Sequence, residues 1–420
     1  MAYILIFLLI MKLRSLLIVV LFCTIYSYAQ NIKTVQLRPK HNSEQYAPIV
    51  RLSEVLKLSF DDLDADSKQY QYKIEHMTHD WKPSSMPSNQ YIQGFEQNEI
   101  INFSNSFNTL QPYTHYWVEI PNQNTIITKS GNYLISVIDE NYEVVFTRKC
   151  VFYEDITTVG VAVFRSRNAS TANQQQTVQF SINHPNLQIN NPSQEINVTL
   201  FQNHNWNTAI NSLQPIFIKP QQLLYNHTVE TNFWAGNEFL NFDTKYIRNS
   251  SLNVAKVTRD NLYHSYIYTD EPRADKPYTY NPDINGQFVV RTTERDANNE
   301  QDDTEADYSL VHFSLDAFEP YENKDVYVYG AFNNYKLSEE NKMTYDSSQG
   351  IYKAILPFKQ GFYNYSYATL NSNNIVNLHE IDGSFFQTEN EYTVVVYYKP
   401  FGEIYDRVIG VGNGYFNQNK

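Results

Sequence analysis

The sequence predicts an all-β protein built as tandem β-sandwich domains, and composition and periodicity both lead there. Aromatic residues make up 15% of the 420 residues and Tyr alone fills 34 positions, and Tyr suits a pleated, half-buried surface. Much of the polar character comes from Asn and Gln, whereas exposed helices favour Lys and Glu. Apolar and polar residues alternate with period two over short runs bounded by turn residues. No apolar i, i+3, i+4, i+7 pattern of helical length follows residue 29, so helices are expected to be short.

Residues 1–29 read as a signal peptide that starts at Met11: Lys12 and Arg14 form a basic lead, Ser15 to Ile25 an apolar run, and Ser27-Tyr28-Ala29 a small-residue cleavage site before Gln30. The competing reading is a retained membrane anchor, which Lys12 and Arg14 disfavour by interrupting the run. Lipid attachment at Cys23 is disfavoured by the bulky Phe22 before it. Cleavage removes two positive charges, taking the formal net charge from −13 to −13 − 2 = −15. An acidic mature chain disfavours nucleic acid and anionic lipid, and no direct membrane insertion is expected after cleavage. Cys150 is then the lone thiol, which rules out an intramolecular disulfide and favours a bacterial periplasm over a eukaryotic secretory route.

The length implies two or three domains, and the boundaries read along the chain give three. The first, 30–155, carries alternating runs at Lys57–Phe60, Tyr70–Ile74, Tyr116–Ile120, Asn132–Val137 and Val144–Phe146, and closes with Lys149–Tyr153. Within that last run Cys150 reads as a buried small hydrophobe. The middle sandwich, 156–281, contains Thr177–Phe180 and Ile196–Leu200. The third, 282–420, opens with Gln287–Arg291 and continues through Ser309–Phe313, Val326–Tyr329 and the long run Glu391–Tyr398, which is expected to be a central strand. Between its first two strands the stretch 294–307 holds seven acids and one base and reads as a solvated loop; without a Gly it does not fit a calcium loop.

Two clusters are candidates for ion binding. Asp61, Asp62, Asp64 and Asp66 crowd carboxylates after a strand, yet the Gly and terminal Glu of a calcium loop are missing, so a strand-ending turn capped by Asx side chains is the favoured reading. His76, His79 and Asp80 would converge on zinc if helical, but their flanks read as strand and turn, so surface or hydrogen-bonded histidines are favoured. Nucleophile elbows, metalloprotease motifs, phosphate loops and dinucleotide fingerprints are absent from the sequence. No catalytic residue, cofactor or metal ligand is therefore assigned, and the expected role is binding, with an unrecognised periplasmic hydrolase as an outside alternative.

Phrases spread along the chain carry a resemblance. They include Ile32-Lys33-Thr34-Val35-Gln36-Leu37-Arg38-Pro39, Leu58-Ser59-Phe60-Asp61-Asp62-Leu63, Asp80-Trp81-x-Pro83-Ser84, Ser106-Phe107-Asn108-Thr109-Leu110-Gln111-Pro112-Tyr113, and Tyr397-Tyr398-x-Pro400-Phe401-Gly402. Together they resemble the plug protein family of the type IX secretion system of Bacteroidota. The resemblance implies a periplasmic protein, associated with the outer membrane, that binds and closes the periplasmic opening of the outer-membrane translocon β-barrel. Tyr70-x-Tyr72 with Asp80-Trp81 is similar to immunoglobulin-like modules of periplasmic sensors. The phrase Val326 to Tyr335, with Gly361 to Tyr367, is similar to the early-set sandwiches of glycogen-binding modules. That likeness supplies an alternative, carbohydrate binding through Tyr335 or Tyr363, against which both aromatics read as core packing.

Overall fold

A computed structural model describes residues 31–42, 45–292 and 301–416. The expected signal peptide at 1–29 and residues 294–300 of the acidic stretch lie outside these. The described chain is overwhelmingly strand, with two four-residue α-helices, Pro192–Glu195 and Asp302–Glu305, and two 3-10 turns. Alternating burial along the strands explains why: in Gln71–Met77 the side chains of Tyr72, Ile74 and His76 point inward while Gln71, Lys73 and Glu75 are more accessible. The strands assemble as tandem β-sandwiches.

The first sandwich pairs the sheet Ile32–Pro39, Leu56–Asp62, Thr114–Ile120, Asn102–Asn105 with the sheet Ile49–Arg51, Val144–Tyr153, Gly131–Ile138, Gln71–Met77, Gln97–Glu99. Its core is rich in aromatics, with Phe60, Tyr70, Tyr116 and Tyr133 fully buried. The runs Val144–Phe146 and Lys149–Tyr153 form one strand, Val144–Tyr153.

The expected division at 281/282 does not follow the sheets. One sheet of the middle sandwich holds Thr158–Arg165, Gln175–Asn183, Gln222–Tyr225 and Phe217–Lys219, with Asn232–Trp234 paired to the second of these. The opposing sheet is Asn205–Asn211, Ile196–Gln202, Asn390–Tyr398, Arg407–Phe416, so half of its strands come from the end of the chain. Val198 pairs with Val396, and Val178, Val198, Tyr392 and Val396 share one core. Glu391–Tyr398 is thus part of a central strand, but in the middle sandwich. The third sandwich, from Leu240–Asp243 to Val376–Asn377, is inserted between these two halves, with its own core around Phe242, Phe313, Phe358 and Tyr365. The correction has a physical cause: period-two alternation fixes which face a side chain takes, not which strand it pairs with.

Glycines let the two sheets of the middle sandwich approach at one side. A Cβ on Gly410, Gly412 or Gly414 would lie 2.2 Å from Thr157 Oγ1, 2.5 Å from Val159 O and 2.5 Å from Val161 Cγ1, respectively. Every second residue of the strand Arg407–Phe416 lacks a side chain where Thr158–Arg165 crosses it.

Candidate functional site

The most heavily buried charges sit where the first sandwich meets the third. Asp61 pairs across the sheet with His115, and Tyr308 pairs across its own sheet with Lys359. These two cross-strand pairs face one another. Asp61 Oδ1 lies 2.6 Å from His115 Nδ1, and Asp61 Oδ2 accepts from Lys359 Nζ at 2.7 Å and from Tyr308 OH at 2.6 Å. Asp61, Lys359 and Tyr308 are no more than 2% exposed. Burial alone would raise the Asp61 carboxyl, but Lys359 and then His115 outweigh it and hold the group below its usual value. Thr34 joins at a register shift of the strand Ile32–Pro39, where its φ of 53° is a costly left-handed conformation for a β-branched residue. The bulge aims Thr34 Oγ1 at Tyr308 OH, 2.6 Å away.

The acidic stretch supplies the rest of this junction, which corrects the reading of it as a solvated loop for residues 302–307. Lys57 reaches Asp303 Oδ2 at 3.1 Å, and Lys359 Nζ also donates to Asp303 O. Asp307 accepts from the backbone amides of Leu110 at 2.6 Å and Gln111 at 3.1 Å. Tyr113 OH donates to Ala306 O at 2.7 Å. These contacts hold the two sandwiches together.

The other sequence candidates are also structural. Asp62 caps its turn by accepting from Asp64 N at 3.0 Å, and it is bonded by Lys68 and Tyr70, so the Asx-turn reading describes Asp62, while Asp61 belongs to the junction. His76 is buried among Tyr91, Tyr133 and Tyr405, and burial pulls its pKa down to about 4. It is a core residue whose Nε2 lies 3.4 Å from Ser130 O, so of the two expected readings the hydrogen-bonded one describes it and the surface one does not. His79 instead faces Asp406, whose Oδ2 accepts its backbone amide at 3.1 Å. Among the described residues no group of three or more His, Cys, Asp or Glu could hold a metal ion. The buried Cys150 thiol donates to Tyr133 O, and burial pushes its pKa up, away from thiolate chemistry. Tyr335 and Tyr363 are 7% and 2% exposed and cannot stack on a sugar ring.

One edge of the first sandwich is built differently. The chain leaves one sheet at Gln97–Glu99, crosses at Ile100-Ile101 and enters the other sheet at Asn102–Asn105. Both are terminal strands of their sheets, so each has an open outer side among the described residues. Ile100 turns into the core, whereas Phe95, Ile101, Phe103 and Phe107 remain exposed, Ile101 and Phe107 at 71%. An apolar open edge is a site for pairing with another chain. Sequence analysis did not single this edge out; its signal was apolar residues standing alone among Asn, Gln and Ser.

The same sandwich decides the family. The profile of the "Type 9 secretion system plug protein 1st domain" matches residues 32–154. The chain belongs to the type IX secretion system plug protein family. Plug-family membership carries a role in type IX secretion and a location at the periplasm or outer membrane. A crystal structure of a hypothetical protein from Parabacteroides merdae ATCC 43184 is 31% identical, superposes with a TM-score of 0.86, and covers 92% of this chain and 97% of its own. Similarity to that protein therefore extends well beyond the plug domain. A partial N-terminal region of an enterococcal surface protein aligns over 92% of this chain and 94% of its own at 9% identity, but its TM-score of 0.17 carries no argument. No curated protein matches the chain. Among the described residues no helix is long and apolar enough to cross a membrane.

Proposed function

We propose that this member of the plug family binds the periplasmic opening of the outer-membrane type IX translocon barrel and closes it, as a periplasmic, protein-binding component without catalysis. The exposed edge around Ile101 and Phe103 carries this reading, because it lies within the domain that matches the plug family and presents unpaired backbone beside apolar side chains. Locked junctions between sandwiches suit a stopper, since a body that yields at its joints would leak. The buried network at Asp61 and the apolar contacts of Val151, Phe201 and Tyr397 between the first and middle sandwiches supply such joints. We further propose that the chain folds as a first unit, a discontinuous middle unit and an inserted third unit.

The test is co-purification with the translocon from native membranes. The double variant Ile101→Asp, Phe103→Asp is expected to lose the translocon while still unfolding cooperatively, with a stability loss of about 1–2 kcal/mol because Phe103 lies in a strand against Tyr116. A second reading is entry of a large hydrophilic dye into cells, expected to rise in the variant. Full retention of the translocon by a folded variant would remove this edge from the interface, and failure of the wild-type chain to recover it would remove the plug role.

A further inference from the structure

A second feature lies where all three sandwiches meet. A cavity of about 210 Å³ is lined by Arg38, Arg148 and Lys149 of the first sandwich, His204 of the middle one and Phe288 of the third. Among the described residues its walls include no Asp or Glu, although the chain carries a formal charge of −13. None of the three cations forms a salt bridge with a described carboxylate. Arg38 donates Nη2 to Phe288 O, with its guanidinium 4.9 Å from the Tyr46 ring and 5.3 Å from the Phe288 ring, while Nη1 is buried without a protein partner. Gln36 Nε2 and His204 Nδ1, on two further lining residues, are likewise buried and unpartnered. Arg148 donates to its neighbour's carbonyl, Thr147 O, and Lys149 sits 4.6 Å over Trp81. Glu391 lies 3.2 Å from His204 Nε2, on the side away from the unpartnered Nδ1.

Burial lowers the pKa of Arg38 and Arg148 to about 10 and also lowers that of Lys149, and among the described residues these half-buried cations have no carboxylate partner. Buried unsatisfied donors call for an acceptor. Guanidinium groups meet carboxylates and phosphates through paired N–H donors. The cavity is several times the roughly 30 Å³ share of one water, and its aromatic walls at Trp206, Phe288 and Tyr335 provide apolar surface.

We propose that this cavity binds a small organic oxyanion, a carboxylate or phosphate on a compact apolar body, whose charged end is held by the unpartnered donors Arg38 Nη1 and Gln36 Nε2 and attracted by the positive charges of Arg148 and Lys149 in the cavity wall. Bound there, it touches all three sandwiches and fixes their relative positions. The site is independent of the translocon edge and stands or falls separately from the plug reading.

Isothermal titration and thermal denaturation of the full mature chain with sodium benzoate, phenyl phosphate, inorganic phosphate and chloride test it. Benzoate or phenyl phosphate is expected to bind saturably and raise the melting temperature, since a ligand selective for the folded state stabilises it. The variant Arg148→Gln, Lys149→Gln leaves the Arg38 contact to Phe288 intact and is expected to bind at least tenfold more weakly while melting normally without ligand. Arg38→Gln is expected to weaken binding too, with some loss of stability. No saturable binding of either organic anion, or equal binding by the Arg148/Lys149 variant, would overturn the site. Inorganic phosphate binding as tightly as phenyl phosphate would overturn the role of the apolar walls.

Discussion

At Asp61 a buried carboxylate is matched by an ammonium, an imidazole and a phenol, and the match is between sandwiches: His115 comes from the same sheet, Lys359 and Tyr308 from the third sandwich. Removing one partner of such a pair leaves a charge stranded in the interior. Asp61→Asn is therefore expected to destabilise the protein by about 3 kcal/mol, the lower end for a broken buried pair. The lower end applies because Lys359 keeps its bond to Asp303 O and its place 4.2 Å from the Tyr113 ring centre. Chemical denaturation of the two proteins measures the difference. The pH profile separates the charge from the shape. A carboxyl held below its usual 3.8 in the folded state contributes stability above the unfolded value, and that contribution is lost as pH falls through the folded one. The wild-type chain is thus expected to lose stability steeply below about pH 4, and Asp61→Asn to show a shallower acid limb. This role was not legible in the sequence. The aspartates around Asp61 look like a turn or an ion loop, and one of them, Asp62, does cap the turn. The partner that decides Asp61 stands 298 positions away.

Individual strands were legible to within about three residues because alternation is a local property. Lys57–Phe60 lies within Leu56–Asp62, and Ser309–Phe313 within Tyr308–Asp316. Where the pattern lapsed, the reading lapsed with it: Thr147 and Arg148 interrupt the apolar run of Val144–Tyr153, and both line the cavity between sandwiches. Pairing between elements was not legible. The glycines at 410, 412 and 414 are informative in hindsight, since regular omission of a side chain on one face of a strand marks a close neighbour. Gly412→Ala would place a methyl 2.5 Å from Val159 O and 2.7 Å from its Cβ. It is expected to cost about 1–3 kcal/mol, as overpacking does. Gly160→Ala, whose new methyl would sit 3.4 Å from Ser181 Oγ, is expected to be tolerated far better. Equal melting temperatures for the two variants would show that the sheets can separate at this crossing without cost.

At the scale of the whole chain the junctions are as well built as the cores. Trp81 packs edge-on to Trp206 at 4.9 Å between the first and middle sandwiches, and Tyr397 OH donates to Asn132 Oδ1 at 2.9 Å. Arg407 pairs with Glu154 at 2.7 Å, and Tyr405 reaches the core of the first sandwich. Independent domains usually meet through smaller, more polar contacts. Calorimetry of residues 30–420 is accordingly expected to show one unfolding transition whose calorimetric and van't Hoff enthalpies agree; resolved transitions would mean that these junctions do not couple the sandwiches. The insertion of the third sandwich into the second also sets an order of assembly. A ribosome delivers Ile196–Gln202 long before Asn390–Tyr398, the strand that completes its sheet. Until the final stretch emerges, the middle sandwich is half a clam shell, with Val198 and Leu200 lacking the cover that Val394 and Val396 later share in its core. Closing so distant a pairing is entropically slow. Asn390–Tyr398 and Arg407–Phe416 are thus the strands that shut the middle of the molecule, and a chain cut short before them leaves a sticky open sheet between two finished neighbours.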